Sequence, residues 1–340
     1  MNTLKNIFSP NRIDLAHNWV RKTLGNLDFT LSELAADAGL RRYFRIATSG
    51  EESFVLMDAP VEHNDLKSFC EISELMTACK LNVPTVIRSS FDEGFLLLSD
   101  LGDDTYLSIL NNDNADELFD DATTALTNWQ AHTRPGKLKS YNKKLITDEL
   151  ELFEQWFLDR HLGLTLHKKI KENLKSTLTL IASRCDSLPK VFAHRDFMPR
   201  NLMVCPKNPG ILDFQDAMLG PITYDPISLF KDAFISWDEE RVIDWLVRYW
   251  EKARKNSLPV RDDFGLFFEE TEWTGLQRHL KVLGVFSRLK YRDSKPDYII
   301  DAPRFLSYIR PVAERYDKLR PILEVLDVAQ HHESRHGYTF

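Results

Sequence analysis

The chain has 340 residues, 43% of them hydrophobic and 28% charged, and a formal net charge of -7. It is long enough for one large or two ordinary domains, and it lacks the basic excess that a general nucleic-acid partner requires. Cys70, Cys79, Cys185 and Cys205 are scattered without a C-x-x-C pair, which suits reduced core thiols better than a disulfide framework or a zinc site. Residues 1–10 lack a sustained apolar run, and no window approaches the roughly 18 apolar residues of a membrane span. The chain is therefore expected to be cytoplasmic, with neither signal peptide nor membrane partner.

Residues 12–25 place Ile13, Ala16, Trp19, Val20 and Leu24 at helical spacing, with Gly25 as a stop. The stretch from Leu31 to Gly39 reads as a loop or turn. Residues 40–47 read as a strand, and after Gly50 residues 53–58 read as a second, ended by Pro60. From Asp65 to Leu81, Leu66, Phe69, Ile72, Leu75, Met76 and Cys79 recur at helical spacing. Residues 85–88 and 94–98 are two further strands. Strand, strand, helix, strand, strand is the plan of a small lobe with a helix packed on a sheet. It should end near Ser99-Asp100-Leu101-Gly102, giving a nucleotide-covering lobe over 1–101 and a catalytic and substrate-binding lobe over 102–340.

Beyond Asp104 the pattern turns helical. Leu118, Ala122, Leu126 and Trp129 share one face; Leu150, Phe153 and Phe157 another; Leu166, Ile170, Leu174, Leu178 and Ile181 a third. Later helices are expected over 225–234, 239–255, 263–292 and 303–326. Residues 331–340 read as a polar, loosely held tail.

One stretch interrupts the helices. His194-Arg195-Asp196 is followed by Asn201, and Ile211-Leu212-Asp213-Phe214 comes after a turn containing Pro206, Asn208, Pro209 and Gly210. Val191-Phe192-Ala193 leads in and Leu202-Met203-Val204 leads out, so the stretch reads as loop, short strand, turn, short strand. Phosphoryl transfer from a nucleotide uses this set of side chains. One carboxylate orients and deprotonates the attacking hydroxyl; an Asn oxygen and a second carboxylate hold magnesium against the phosphates. The spacing from Asp196 to Asn201, with Asp213 beyond, matches the kinase catalytic signature. His-Arg-Asp alone is weak; the spaced Asn and the Leu-Asp-Phe in order make the signal strong.

These residues resemble the aminoglycoside phosphotransferase and choline kinase group of small-molecule kinases. Longer segments are similar to the anomeric sugar kinases of bacterial cell-wall recycling: Arg41-Arg42-Tyr43-Phe44-Arg45, Leu56-Met57-Asp58-Ala59-Pro60, Asp213-Phe214-Gln215-Asp216-Ala217, Gly220-Pro221, Tyr224-Asp225, the run from Leu229 to Phe234, and Gln277-Arg278-His279-Leu280-Lys281. The resemblance implies an α+β, bilobal protein-kinase-like fold and the cofactors ATP and Mg2+. It also implies phosphorylation of the C1 hydroxyl of N-acetylmuramate and N-acetylglucosamine to the α-1-phosphate, in peptidoglycan recycling. A sugar-1-phosphate nucleotidyltransferase would then consume the product. Carried over by position, Asp196 is the base and Asn201 and Asp213 are the magnesium ligands. Asp100 lies on the connector crossing the adenine pocket. Arg200 reaches either the phosphate and sugar or a salt bridge at the loop edge. His194 braces the loop, Asp225 anchors its backbone, and Asp216 either touches the metal's water shell or caps the turn.

The sequence departs from the kinase pattern in two places. Met57 stands where a phosphate-binding Lys is expected, and no glycine-rich loop is present, only Gly39. Arg42 or Arg45 is the substitute cation; a regular strand turns them to opposite faces, so only one can point inward. Glu71 is the candidate ion-pair partner. For the amino-sugar substrate, Trp273 would supply an aromatic face and Arg278 a clamp for the lactyl carboxylate; Trp237, Gln277 and His279 lie nearby in the pattern, and each also suits a core position. Two rival readings are a kinase of the same fold acting on an aminoglycoside or amino alcohol, and a nucleotide-binding pseudokinase, suggested by Met57.

Overall fold

The computed structural model describes residues 10–336 apart from 26, 35–40, 51 and 62–64. The lone-glycine segment at 35–39 therefore lies outside the described residues, as do 1–9 and 337–340. In chain order the elements are α1 (Pro10–Thr23), β1 (Phe29–Glu33), β2 (Arg42–Thr48), β3 (Ser53–Asp58), α2 (Leu66–Ala78), β4 (Val86–Ser90) and β5 (Phe95–Ser99). Then come α3 (Tyr106–Ile109), α4 (Ala115–Ala131), α5 (Lys143–Leu152), a π-helix (Phe153–His161), α6 (Lys168–Ser187), β6 (Lys190–Ala193) and a 3-10 turn (Pro199–Asn201). They are followed by β7 (Leu202–Met203), β8 (Gly210–Ile211), β9 (Met218–Pro221), α7 (Tyr224–Phe230), α8 (Glu239–Lys255) and α9 (Phe264–Tyr291). A 3-10 segment (Pro296–Asp301), α10 (Ala302–Arg315), a second short 3-10 turn and α11 (Arg320–His336) close the chain. The fold is α+β. Its two compact units are Met1–Thr105 with Leu202–Gln215, and Tyr106–Asn201 with Asp216–Phe340.

The first unit is built on an antiparallel five-stranded sheet in the order β1-β2-β3-β5-β4. Strand alternation sends Phe44, Ile46, Leu56, Phe95 and Leu97 to one face, where Ala16 and Val20 of α1 cover them. The register pairs Tyr43 with Met57 and Met57 with Leu96, so these share the opposite face with Arg45, Val55 and Leu98. Asp65 caps α2 by accepting the Ser68 N–H at 3.0 Å. The β7–β8 hairpin joins this unit through Ile211 N–H to Asn82 O at 2.7 Å and Val204 N–H to Asp104 O at 2.8 Å. A Cβ on Gly210 would lie 2.7 Å from Cys205 Sγ, so the approach there needs glycine.

The second unit is helical around α9, which packs on α5, the π-helix, α6, α7 and α10. Trp273, Leu276, Leu280, Leu283 and Phe286 of α9 meet Leu150, Phe153, Phe157, Leu174 and Ile181 in its core. Gly284 lets α9 close onto the α5 end: a Cβ there would fall 2.4 Å from the Leu152 carbonyl carbon.

Four expectations change. Residues 29–33 form edge strand β1, which takes in 31–33 from the loop expected over 31–39, because Phe29 and Leu31 alternate into the α1 core while Thr30 and Ser32 face out. The helix expected over 303–326 is two helices: Tyr316 is extended, and after a short 3-10 turn Pro321 sits in the first turn of α11, where its missing N–H costs nothing. The tail expected from 331 is helical through His336. The 225–234 helix also stops at Phe230, where Asp232 turns its carboxylate onto the Phe234 N–H at 2.9 Å.

Candidate active site

The 194–201 loop leaves β6 and ends in the 3-10 turn, and β6 is fixed by antiparallel pairing with β9. Asp225, fully buried at the start of α7, receives both of the loop's first backbone donors. The N–H of His194 reaches Oδ2 at 2.7 Å and that of Arg195 reaches Oδ1 at 2.8 Å. Burial pushes the Asp225 carboxyl up to about 7, and these two donors act in the opposite direction. His194, also buried, accepts the Asp196 N–H on Nδ1 at 3.2 Å and sets its ring edge-on to Phe197. It braces the loop through its ring, and Asp225 anchors the backbone.

Arg195 takes a left-handed backbone, φ 75°, which redirects the chain just before Asp196. Five residues on, Asn201 Nδ2 donates to the Asp196 carbonyl at 2.9 Å. That bond fixes the amide with its nitrogen toward the loop, making its oxygen the atom of choice for a hard cation. Asp213 follows β8 in the first unit, also left-handed at φ 58°, and accepts a short hydrogen bond from Gln215. Between them Phe214 is buried against the Phe69 ring, centroids 4.8 Å apart, which holds the segment to α2. An amide oxygen and a carboxylate are each hard donors of the kind that magnesium takes, one or two from protein and the rest from phosphates and water. Among the described residues no group of three or more His, Cys, Asp or Glu could hold a metal by itself.

The candidate phosphate-binding cations both carry partners. Arg42 lies on the α1 face of the sheet, with Nη2 at 2.6 Å from Oδ2 of Asp58, which Arg12 also contacts at 2.7 Å. Arg45 lies on the other face. It grips Asp100 with Nε at 2.6 Å and Nη2 at 3.2 Å, and it also meets Asp103 and the Gly102 carbonyl. Its hydrogen bonds to Asp100 and Asp103 raise its affinity for the proton. Asp100, on the expected connector, is thereby bound to Arg45. Glu71 is exposed on α2, and the carboxylates on these arginines are Asp58, Asp100 and Asp103. Met57 shares the Arg45 face and is fully buried, an apolar core residue at the position where kinases carry lysine.

The predicted substrate residues of the second unit differ in burial. Arg200 lies over the Phe234 ring, Cζ 5.0 Å from the centroid, beside the turn that Asp232 pins. Trp273 is 1% exposed, with Arg184 4.1 Å over its ring and Tyr316 5.8 Å away. It presents no open face for a sugar. Arg278 is 2% exposed and lies in the electrostatic range of Asp225 and Asp232, as an internal counter-ion. Gln277 is buried on Tyr141, and His279 packs on Phe305 and Tyr308. Trp237 sits edge-on to Trp245 and Phe119. The sequence reading missed Glu149 and Lys281, which lie behind the loop. The available signal was a charged residue beside the apolar positions Leu150 and Leu280 of two core helices.

The family model described as "Phosphotransferase enzyme family" (APH) matches residues 30–262. The chain is 44% identical over 297 residues, 87% of each protein, to a relative from Pseudomonas putida named N-acetylmuramate/N-acetylglucosamine kinase. Among solved structures it resembles the ADP-bound aminoglycoside phosphotransferase APH(2'')-Ib (TM-score 0.59, 16% identity, 88% of this chain and 98% of that one). It also resembles a choline kinase from Streptococcus pneumoniae (TM-score 0.63, 11% identity, 88% and 99%). These two likenesses establish the protein-kinase-like fold. From its own sequence, and in that fold, the chain belongs to the APH phosphotransferase enzyme family.

Proposed function

We propose that this protein transfers the γ-phosphoryl group of ATP to the anomeric C1 hydroxyl of N-acetylmuramate and N-acetylglucosamine, giving the α-1-phosphate. The observation that carries the reading is the 194–201 loop, in which Asp225 fixes the backbone and Asn201 is fixed on Asp196. The loop sits in a chain 44% identical to a kinase named for those two sugars. Asp196 holds the sugar hydroxyl in line and accepts its proton as the new P–O bond forms. Bound at Asn201 and Asp213, magnesium would supply positive charge against the phosphate oxygens. Phosphoryl transfer needs little covalent help from a protein, so rigid placement of these groups is the main contribution. Arg45 is the favoured substitute for the phosphate-binding lysine, because it shares the sheet face of Met57 while Arg42 faces α1. Arg200, on its Phe234 platform, is the candidate contact to phosphate or sugar. The reaction belongs in the cytoplasm, where ATP is supplied, and its product suits a sugar-1-phosphate nucleotidyltransferase.

Phosphorus NMR of the protein with magnesium-ATP and N-acetylmuramate tests this, with kanamycin and choline in parallel. A sugar-1-phosphate signal is expected with N-acetylmuramate alone. Transfer only to kanamycin or choline would overturn the substrate. Asp196→Asn should lower kcat by about 100-fold or more while nucleotide affinity holds.

A further inference from the structure

Beneath the 194–201 loop lies an ion cluster that the reaction as described does not use. Glu149 of α5 is its centre. Arg195 and Lys281 both reach Oε1, Lys281 at 3.3 Å, while Tyr141 O–H and Gln277 N–H reach Oε2, the latter at 3.3 Å. Lys281 Nζ also donates to Tyr224 O–H at 3.3 Å, and the Arg195 guanidinium lies 4.7 Å over the Tyr141 ring. The side chains of Arg195, Glu149 and Lys281 are 12%, 18% and 17% exposed, so these charges are largely removed from water.

Two features give the cluster a purpose beyond packing. The first is its charge: two cations share one carboxylate, leaving one positive charge in excess. Burying an excess charge is costly unless an opposite charge stands near. Asp196, next to Arg195 in the chain, adds a small favourable field to both cations, after burial, Tyr224 and Glu149. The second is the left-handed backbone of Arg195, a strained conformation that persists only where neighbours over-determine it. Asp225 holds that residue's N–H and Glu149 holds its side chain.

We propose that Glu149 and Lys281 are positioning residues for phosphoryl transfer. Glu149 clamps Arg195 so that the loop keeps its turn just before Asp196, and Lys281, on the same Glu149 oxygen, holds that clamp in place. The proposal rests on the reading of Asp196 as the base.

The test measures kcat, the KM values for magnesium-ATP and N-acetylmuramate, and thermal stability for Lys281→Met, Lys281→Arg and Asp196→Asn. Lys281→Met is expected to lower kcat about 100-fold with both KM values within about threefold, as misplacement of a reacting group does. Lys281→Arg should restore most of that loss. If Lys281→Met does not fold, the paired Glu149→Gln/Lys281→Met variant, which keeps the cluster's net charge, should show the same loss in kcat. Unchanged kcat with a lowered melting temperature would make the cluster structural and overturn the proposal. So would a rise in the sugar KM alone, which would make Lys281 a substrate contact. Loss of turnover in Asp196→Asn with none in Lys281→Met would overturn this proposal and leave the base intact. Near-wild-type turnover of Asp196→Asn would overturn the base reading, and this proposal with it.

Discussion

Arg45 holds both carboxylate oxygens of Asp100, with Nε 2.6 Å from one and Nη2 3.2 Å from the other. A guanidinium in this bidentate grip keeps a fixed direction. It can meet a nucleotide phosphate only by sharing or exchanging that partner. Arg42 differs, because its partner Asp58 is fully buried.

The two arginines should therefore fail differently. Arg45→Met is expected to raise the KM for magnesium-ATP about tenfold, with Arg45→Lys giving partial recovery. Arg42→Met should instead destabilise the first unit by about 2 kcal/mol, since Asp58 then depends on Arg12 for its counter-charge. Steady-state kinetics and thermal melts on both variants separate the roles. The reverse pattern would give the phosphate to Arg42.

Trp273→Phe tests whether the tryptophan meets sugar. Its burial and the Arg184 guanidinium over its ring predict a stability loss of about 1–3 kcal/mol. The KM for N-acetylmuramate should stay within about twofold. A large rise in that KM at unchanged stability would return Trp273 to the sugar site.

Gly284→Ala should destabilise the second unit by about 2 kcal/mol or more, read as a lowered melting temperature. The new methyl would meet Leu152 backbone at 2.4 Å, and neither helix can yield as a flexible side chain would. A neutral substitution would mean that α5 and α9 can move apart without cost.

His161 gives the stability a pH dependence. Burial pushes its pKa down to about 4, and Lys290 adds to the effect. The unfolded chain takes up this proton near pH 6.5 and the folded chain does not, so the contribution is complete above 6.5 and is lost as pH falls toward 4. The site is partly exposed, so about 1 kcal/mol is the expected size. Melting curves at pH 7.5 and 5 should show a smaller drop for His161→Gln than for the unaltered protein. An equal drop would remove His161 from the account.

The sequence by itself determined the family and most of the elements. The family is legible because Asp196, Asn201 and Asp213 follow the spacing of the kinase signature, and the helical stripes are legible because a 3.6-residue period repeats over many turns. The Arg42 and Arg45 side chains fell on opposite faces as strand alternation requires. Edge strand β1 was hidden because five residues carry too short an alternation, and the break at Tyr316 because an apolar period runs across it. Only the tertiary structure decided what each charged side chain faces. It buried Trp273 and made Arg278 an internal counter-ion. It set Arg45 on Asp100, and it gathered Glu149, Arg195 and Lys281 from positions far apart in the chain. Periodicity reports which face of an element is apolar; the partner of a charge is fixed by where other elements bring an opposite charge out of water.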